Sequence, residues 1–195
     1  MRSCNVKEKG RRHGLLTGTL LLLVLLASAG HAQEVPDKGP RYEELPNFHQ
    51  VNARLYRGGQ PRTGGLRKLA SLGVKTVINL RDDDERERAE GEEAKAAGLR
   101  YFNVPFGRLG RPEDAEVEHV LALIDAPENG VVYLHCAKGQ DRTGTVVAVY
   151  RITHDGWTSE QAKQEANRYG MKFWQRGMKD YISDYYRDHA SRARP

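Results

Sequence analysis

The chain has 195 residues, 29% of them charged, with a formal net charge of +5 and a sequence pI near 9.2. The basic excess lies at the start: residues 1–32 hold five of the 31 Lys and Arg and one of the 26 Asp and Glu, which leaves 26 basic and 25 acidic side chains in the remaining 163 residues. A body so balanced gives no electrostatic footprint for nucleic acid, and the histidines at 49, 119, 154 and 189 have no metal-ligand spacing, so neither a nucleic-acid partner nor a metal or other cofactor is expected.

Residues 1–32 read as a signal peptide. Arg2, Lys7, Lys9, Arg11 and Arg12 precede the apolar block Leu15 to Leu26, which ends in the small residues Ala27-Ser28-Ala29-Gly30-His31-Ala32. An apolar run of about 12 residues is short of the roughly 20 needed to span a bilayer, which favours cleavage after Ala32 over a retained membrane anchor. The expected product is exported, periplasmic or secreted, with no stable membrane span. Cys4 leaves with the leader, so Cys136 becomes the only thiol of a protein sent to an oxidising compartment.

Residues 33–47 are rich in Pro and charge and read as an extended lead-in, and 48–190 as one domain. A short strand RLYR (54–57) is followed by the turn GGQP and a short helix through Leu66, Leu69 and Leu72. VKTVINL (74–80) is a buried strand, and DDDERERAEGEEAKAAG a helix whose charges form a solvated face. A strand LRYFNVP (99–105), a Gly-rich loop, a helix PEDAEVEHVLALID (112–125) and a strand VVYLH (131–135) follow. A helix from Thr143 to about Asp155 is apolar nearly all round. Thr158 and Gln161 form a capping box, and Trp174, Met178, Tyr181, Ile182 and Tyr185 recur at helical spacing as core. Strands alternating with helices predict an α/β fold with a central, mostly parallel sheet flanked by helices.

HCAKGQDRTG (135–144) then falls between the carboxyl end of a buried strand and a helix N-terminus, where unpaired backbone N–H groups and the positive end of the helix dipole receive anions. Cys136 and Arg142 are separated by five residues, enough for a loop to curl round a tetrahedral oxyanion while the arginine fork grips two oxygens. Cys136 in such a ring of donors is expected to have a depressed pKa and to be nucleophilic. Gly139 and Gly144 permit the backbone turn and close helix packing.

This stretch resembles the phosphate-binding signature H-C-x5-R-[ST] of cysteine-dependent protein tyrosine phosphatases, especially the small bacterial dual-specificity-like enzymes and the plant and fungal atypical group. LYRGGQP (55–61) and GVKTVINLR (73–81) resemble the early strands of the same proteins, so the likeness spans most of residues 50–185. It implies a tyrosine phosphatase-like fold over the domain 48–190 and metal-free hydrolysis of phosphomonoesters through a cysteinyl-phosphate. Cys136 would be the nucleophile, Arg142 the transition-state clamp, Thr143 the hydrogen-bond partner of the departing sulfur and His135 an orienting residue. Ala137, Lys138, Gly139, Gln140, Asp141 and Arg142 would line the phosphate site.

The proton donor has two candidates. Asp114 lies in the GRLGRPED loop, 22 residues before the cysteine, with a helix first-turn acid as its plain alternative. Asp141 lies inside the loop, where Cys-x4-Asp-Arg-Thr resembles myotubularins and secreted phosphoinositide phosphatases. Its plain alternative is a carboxylate bonding loop amides. Lys138 suits either a second substrate phosphate or solvent, and Gln140 stands where inositide-directed enzymes often carry a second lysine. Arg57 and Arg81 are candidates for the same rim or for structural ion pairs. The expected substrate is a phosphorylated protein, with a phosphorylated inositol or lipid as alternative, and the expected state a monomer. A phosphate-binding protein without turnover and a rhodanese-type sulfurtransferase are the remote alternatives.

Overall fold

A computed structural model describes residues 40–190, so the leader reading and the first part of the lead-in lie outside the described residues. The elements run β1 (His49–Gln50), β2 (Leu55–Gly59), α1 (Gly65–Ser71), β3 (Thr76–Asn79), α2 (Glu85–Ala96), β4 (Arg100–Asn103), α3 (Asp114–Asp125), a 3-10 turn (Pro127–Asn129), β5 (Val132–Cys136), α4 (Asp141–Asp155), α5 (Ser159–Arg168) and α6 (Arg176–Ala190). Five strands form one sheet in the order β1-β2-β5-β3-β4, parallel throughout except for β1 at one edge. The α/β class and mostly parallel sheet expected from the sequence are therefore what the chain forms.

β5 and β3 are buried at every position because helices cover both sheet faces. Period-two alternation then decides which residue faces which layer. Ile78 and Leu134 pack with Val117, Val120 and Ile124 of α3, Val146 and Val147 of α4 and Tyr181 of α6. Their neighbours Val77 and Tyr133 point the other way, onto Leu66 and Leu69 of α1 and Ala94 of α2. α4 is buried from Arg142 to Ile152 because α5 and α6 cover its far side through Ala162, Ala166 and Ile182. Burying each large aliphatic side chain contributes about 1.5–3 kcal/mol, so the sheet and α4 make a stiff platform. Register places Gly59 beside Cys136 and Asn79 beside His135, so the carboxyl ends of β2, β3 and β5 meet at one edge.

Four local expectations need correction. The charged stretch over α2 is not merely a solvated face, since Glu87 and Glu90 are buried. Trp174 is not core: α6 begins at Arg176, and the indole stands in the preceding loop, 55% exposed. Residues 40–47 do not simply extend. Tyr42 bridges to Leu45, and Leu45 joins the core. The short edge strand β1 was not anticipated. The helix over 112–125 begins at Asp114, with Glu113 and Glu116 forming a capping box, whereas the Thr158–Gln161 box forms as expected. Among the described residues no helix is long and apolar enough to cross a membrane.

Candidate active site

The loop from His135 to Arg142 leaves β5 and enters α4 in a tight curl. Gly139 makes the curl possible: its φ is +68°, and a Cβ there would stand 2.3 Å from the carbonyl carbon of Gly58. Gly58 must also lack a side chain, because a Cβ would run into the Tyr133 hydroxyl, which donates to the Gly59 carbonyl at 2.6 Å. Asn47 ties the curl from outside, its Nδ2 donating to the carbonyls of Lys138 (3.2 Å), Gly139 (2.9 Å) and Tyr169 (3.2 Å).

Cys136 is a free, buried thiol at the bottom of this loop. Burial pushes its pKa up, but the Thr143 hydroxyl and amide, the Arg142 charge and the Lys138 amide more than offset this, leaving it below the ordinary cysteine value. Thr143 Oγ1 is buried with no well-aligned hydrogen-bond partner among the described residues, and its nearness to the sulfur helps to lower the thiol pKa. Arg142 is held by Nη1, which donates to the carbonyls of Leu80 (3.0 Å) and Phe106 (3.3 Å). Its Nε and Nη2 have no acceptor among the described residues, which leaves one edge of the fork free to grip an anion.

The two carboxylates stand differently. Asp141 opens α4 and accepts from the Lys172 amide through Oδ1 at 2.8 Å, tying the loop to the segment between α5 and α6. Asp114 is exposed in the first turn of α3, beside the Tyr181 phenol. Burial first, and then the Asp114 carboxylate, push that phenol well above its usual range. Ala137 and Lys138 are exposed on the loop, Gln140 is partly covered, and Gly139 is buried.

Beneath the loop lies a charged layer in which Arg57 and His135 were candidates from the sequence and Glu90 was not. Arg57 sits within β2, 1% exposed, where Nη2 donates to the Gly139 carbonyl at 3.0 Å and the guanidinium lies 4.5 Å from the Tyr169 ring centre. Its Nε and Nη1 have no partner, and burial lowers its pKa despite the nearby Glu165 charge. His135 Nδ1 reaches the Cys136 carbonyl at 3.4 Å, while Nε2 lies 2.9 Å from Glu90 Oε1. Neither atom of that pair has a well-aligned hydrogen bond. Glu90 Oε2 accepts from Asn79 Nδ2 at 3.0 Å, and Asn79 also donates to the Tyr101 hydroxyl. Burial alone would raise the Glu90 pKa; His135 first, then Gln60 and Arg81, bring it below the ordinary value. The available signal was Glu87, Glu90, Gly91 and Ala94 at helical spacing, two acids sharing a stripe with small residues. Arg81, beyond β3, bonds the Gln60 and Asp84 side chains. Among the described residues no cluster of His, Cys, Asp or Glu could hold a metal ion.

The curled loop, with its buried thiol and half-free arginine, has the shape and donors to hold a tetrahedral anion. Residues 39–184 match the family described as DSP-PTPase phosphatase fused to NAD+ kinase; the chain belongs to this dual-specificity phosphatase family and is a phosphatase. It is 33% identical over 163 residues to the dual specificity protein phosphatase TpbA of Pseudomonas aeruginosa, covering 80% of this chain and 72% of that protein. The crystal structure of TpbA superposes with a TM-score of 0.60 at 28% identity, over 74% of this chain and 91% of that one. The inositol diphosphatase DSP4 of Arabidopsis thaliana is 29% identical over 142 residues, covering 66% and 71%.

Proposed function

We propose that the chain is a cysteine-dependent tyrosine or dual-specificity protein phosphatase, exported from the cell, with Cys136 as nucleophile. The observation that carries this reading is the buried Cys136 thiol, its pKa lowered by Thr143, Arg142 and loop amides. The thiolate attacks phosphorus, an S–P bond forms as the P–O bond to the leaving group breaks, and the leaving oxygen takes a proton from Asp114. Water then attacks the cysteinyl-phosphate and gives a proton back to Asp114. The S–P electrons return to sulfur, where Thr143 donates to the thiolate, and inorganic phosphate departs. Arg142 and the loop amides stabilise the charge on the equatorial oxygens in both steps.

Asp114 is preferred as the acid because one carboxylate oxygen of Asp141 is already committed to the Lys172 amide. Asp141 then acts as the tie of the loop. TpbA has also been crystallised with phosphotyrosine, which favours an aryl phosphate over other substrates. A phosphorylated inositol is a second reading, favoured by Lys138, which is exposed on the loop with no carboxylate beside it among the described residues.

The test is hydrolysis of aryl phosphates of graded leaving-group pKa, with EDTA present. Cys136→Ser is expected to lower turnover by more than about 10⁴-fold. Asp114→Asn is expected to slow poor leaving groups ~100-fold while sparing good ones, and Asp141→Asn to slow all equally. Leaving-group dependence in Asp141→Asn alone would reverse the assignment, and thiosulfate-to-cyanide sulfur transfer would replace the reaction class.

A further inference from the structure

The large hydrophobic side chains that the described residues expose are Leu109 (75%), Phe173 (81%) and Trp174 (55%), and all three stand on two loops laced to the signature loop. The Phe106 carbonyl accepts from Arg142, and the Lys172 amide donates to Asp141. Gly170 packs so closely on the Gln140 side chain that a Cβ would come within 2.7 Å of its Nε2. The two loops also hold each other: Gln175 Nε2 donates to the Arg108 carbonyl at 3.2 Å, and Gly177 lies against the Gly110 backbone. The three side chains thus stand on loops that join the signature loop directly. Phe173 and Trp174 pack edge to face, with ring centres 4.8 Å apart.

The charges interleaved with them have one sign. FGRLGRP (106–112) and YGMKFWQRGMK (169–179) contain no acidic residue. Arg108 meets only Asp82, at 3.5 Å in a pair with both side chains more than half exposed, and Lys172 Nζ lies 5.9 Å from the Trp174 ring centre. The side chains of Lys138 and Arg176 have no partner among the described residues. Such apolar loop tips among cations, of which Arg108 pairs with Asp82 and Arg111 with Asp184, match the zone of a bilayer where glycerol and phosphate groups meet the acyl chains.

We propose that this rim docks on an anionic glycerophospholipid bilayer, with Leu109, Phe173 and Trp174 entering the headgroup zone and Arg108, Lys138, Lys172 and Arg176 meeting lipid phosphates. The site then faces phosphate groups presented at a membrane surface. This goes beyond the proposed reaction, and its test needs no turnover.

The chain contains two tryptophans, and Trp157 is buried, so fluorescence changes on docking report Trp174. The full chain is titrated with phosphatidylcholine vesicles with and without phosphatidylglycerol, some carrying brominated acyl chains. Expected are a blue shift and bromine quenching with phosphatidylglycerol only, weakened by salt, and a titration midpoint raised about tenfold in Leu109→Ser/Phe173→Ser. The leader is the same in both proteins, so it cannot produce that difference. No quenching, equal quenching by neutral vesicles, or a midpoint indifferent to the two substitutions overturns the proposal. So does a blue shift elicited by a soluble phosphotyrosine peptide, or by raising protein concentration without lipid, in place of the vesicle response.

Discussion

The floor beneath the Cys136 loop and the rim around its mouth invert ordinary side-chain placement in opposite directions. The floor buries ionisable groups, Arg57, His135 and Glu90, whereas the rim exposes Leu109, Phe173 and Trp174. Burying charge costs several kcal/mol per group unless partners repay it, and the repayment here is incomplete because two Arg57 nitrogens have no acceptor. What the floor gains is position: Arg57 holds the Gly139 carbonyl, and His135 reaches that of Cys136. The rim holds few side chains in place. Its exposed side chains bury little area, so truncating them removes little packing. Rules of placement broken on both sides of one loop mark where function outweighs folding.

The comparison breaks most sharply at the loop itself. Arg142→Lys removes the planar fork and is expected to lower aryl phosphate kcat/KM by about 10³-fold; a loss under tenfold would remove the clamp role. Next is Gly139→Ala, which forces a Cβ into the Gly58 carbonyl at a positive φ. A ~100-fold loss of activity and about 2–4 kcal/mol of stability in urea titration are expected.

Arg57→Met separates floor position from floor stability. Because Nε and Nη1 are unpartnered, stability should change by about 1 kcal/mol or less, while the unheld Gly139 carbonyl lowers kcat roughly tenfold. A large loss of stability with normal kcat would mean that Arg57 is framework only.

Glu90→Gln tests the pair under His135. The Glu90 pKa is depressed on folding, so its contribution is present above the ordinary glutamate value of 4.5 and lost as pH falls through the folded value. The substitution should cost about 1–3 kcal/mol at neutral pH, and the gap to the wild type should close below pH 4.5. A gap independent of pH would show that shape, not charge, is what Glu90 supplies.

The curled loop was legible because its residues are ten consecutive positions at a strand-to-helix junction. Strand and helix order was legible for a similar reason: VKTVINL and VVYLH are apolar runs that only a doubly covered sheet can bury. Of the floor, Arg57 and His135 were legible as candidates and Glu90 was not. Glu90 sits in a run of charges whose average is that of a solvated helix, whereas its partners are distant in the chain: Asn79 and, 45 positions away, His135. Trp174 misled in the other direction, since its spacing to Met178 continues the apolar stripe of α6 one turn past where the helix begins. Periodicity says which face a side chain would take if the helix extended that far, but it does not say where the helix starts. Asp141 was legible as a candidate but not as a tie, because its partner, the Lys172 amide, is a backbone group with no residue signature.

Asn47 bears on where this protein can be cut. It is the one non-glycine described residue with positive φ, at +53°, and its side-chain amide spans carbonyls of the signature loop and of Tyr169. A recombinant fragment trimmed to begin at Phe48 would keep every strand and helix, yet lose the clasp that closes the loop from outside. The stretch before the first strand is thus a working part of the catalytic unit rather than a tether, and a minimal fragment has to start upstream of it.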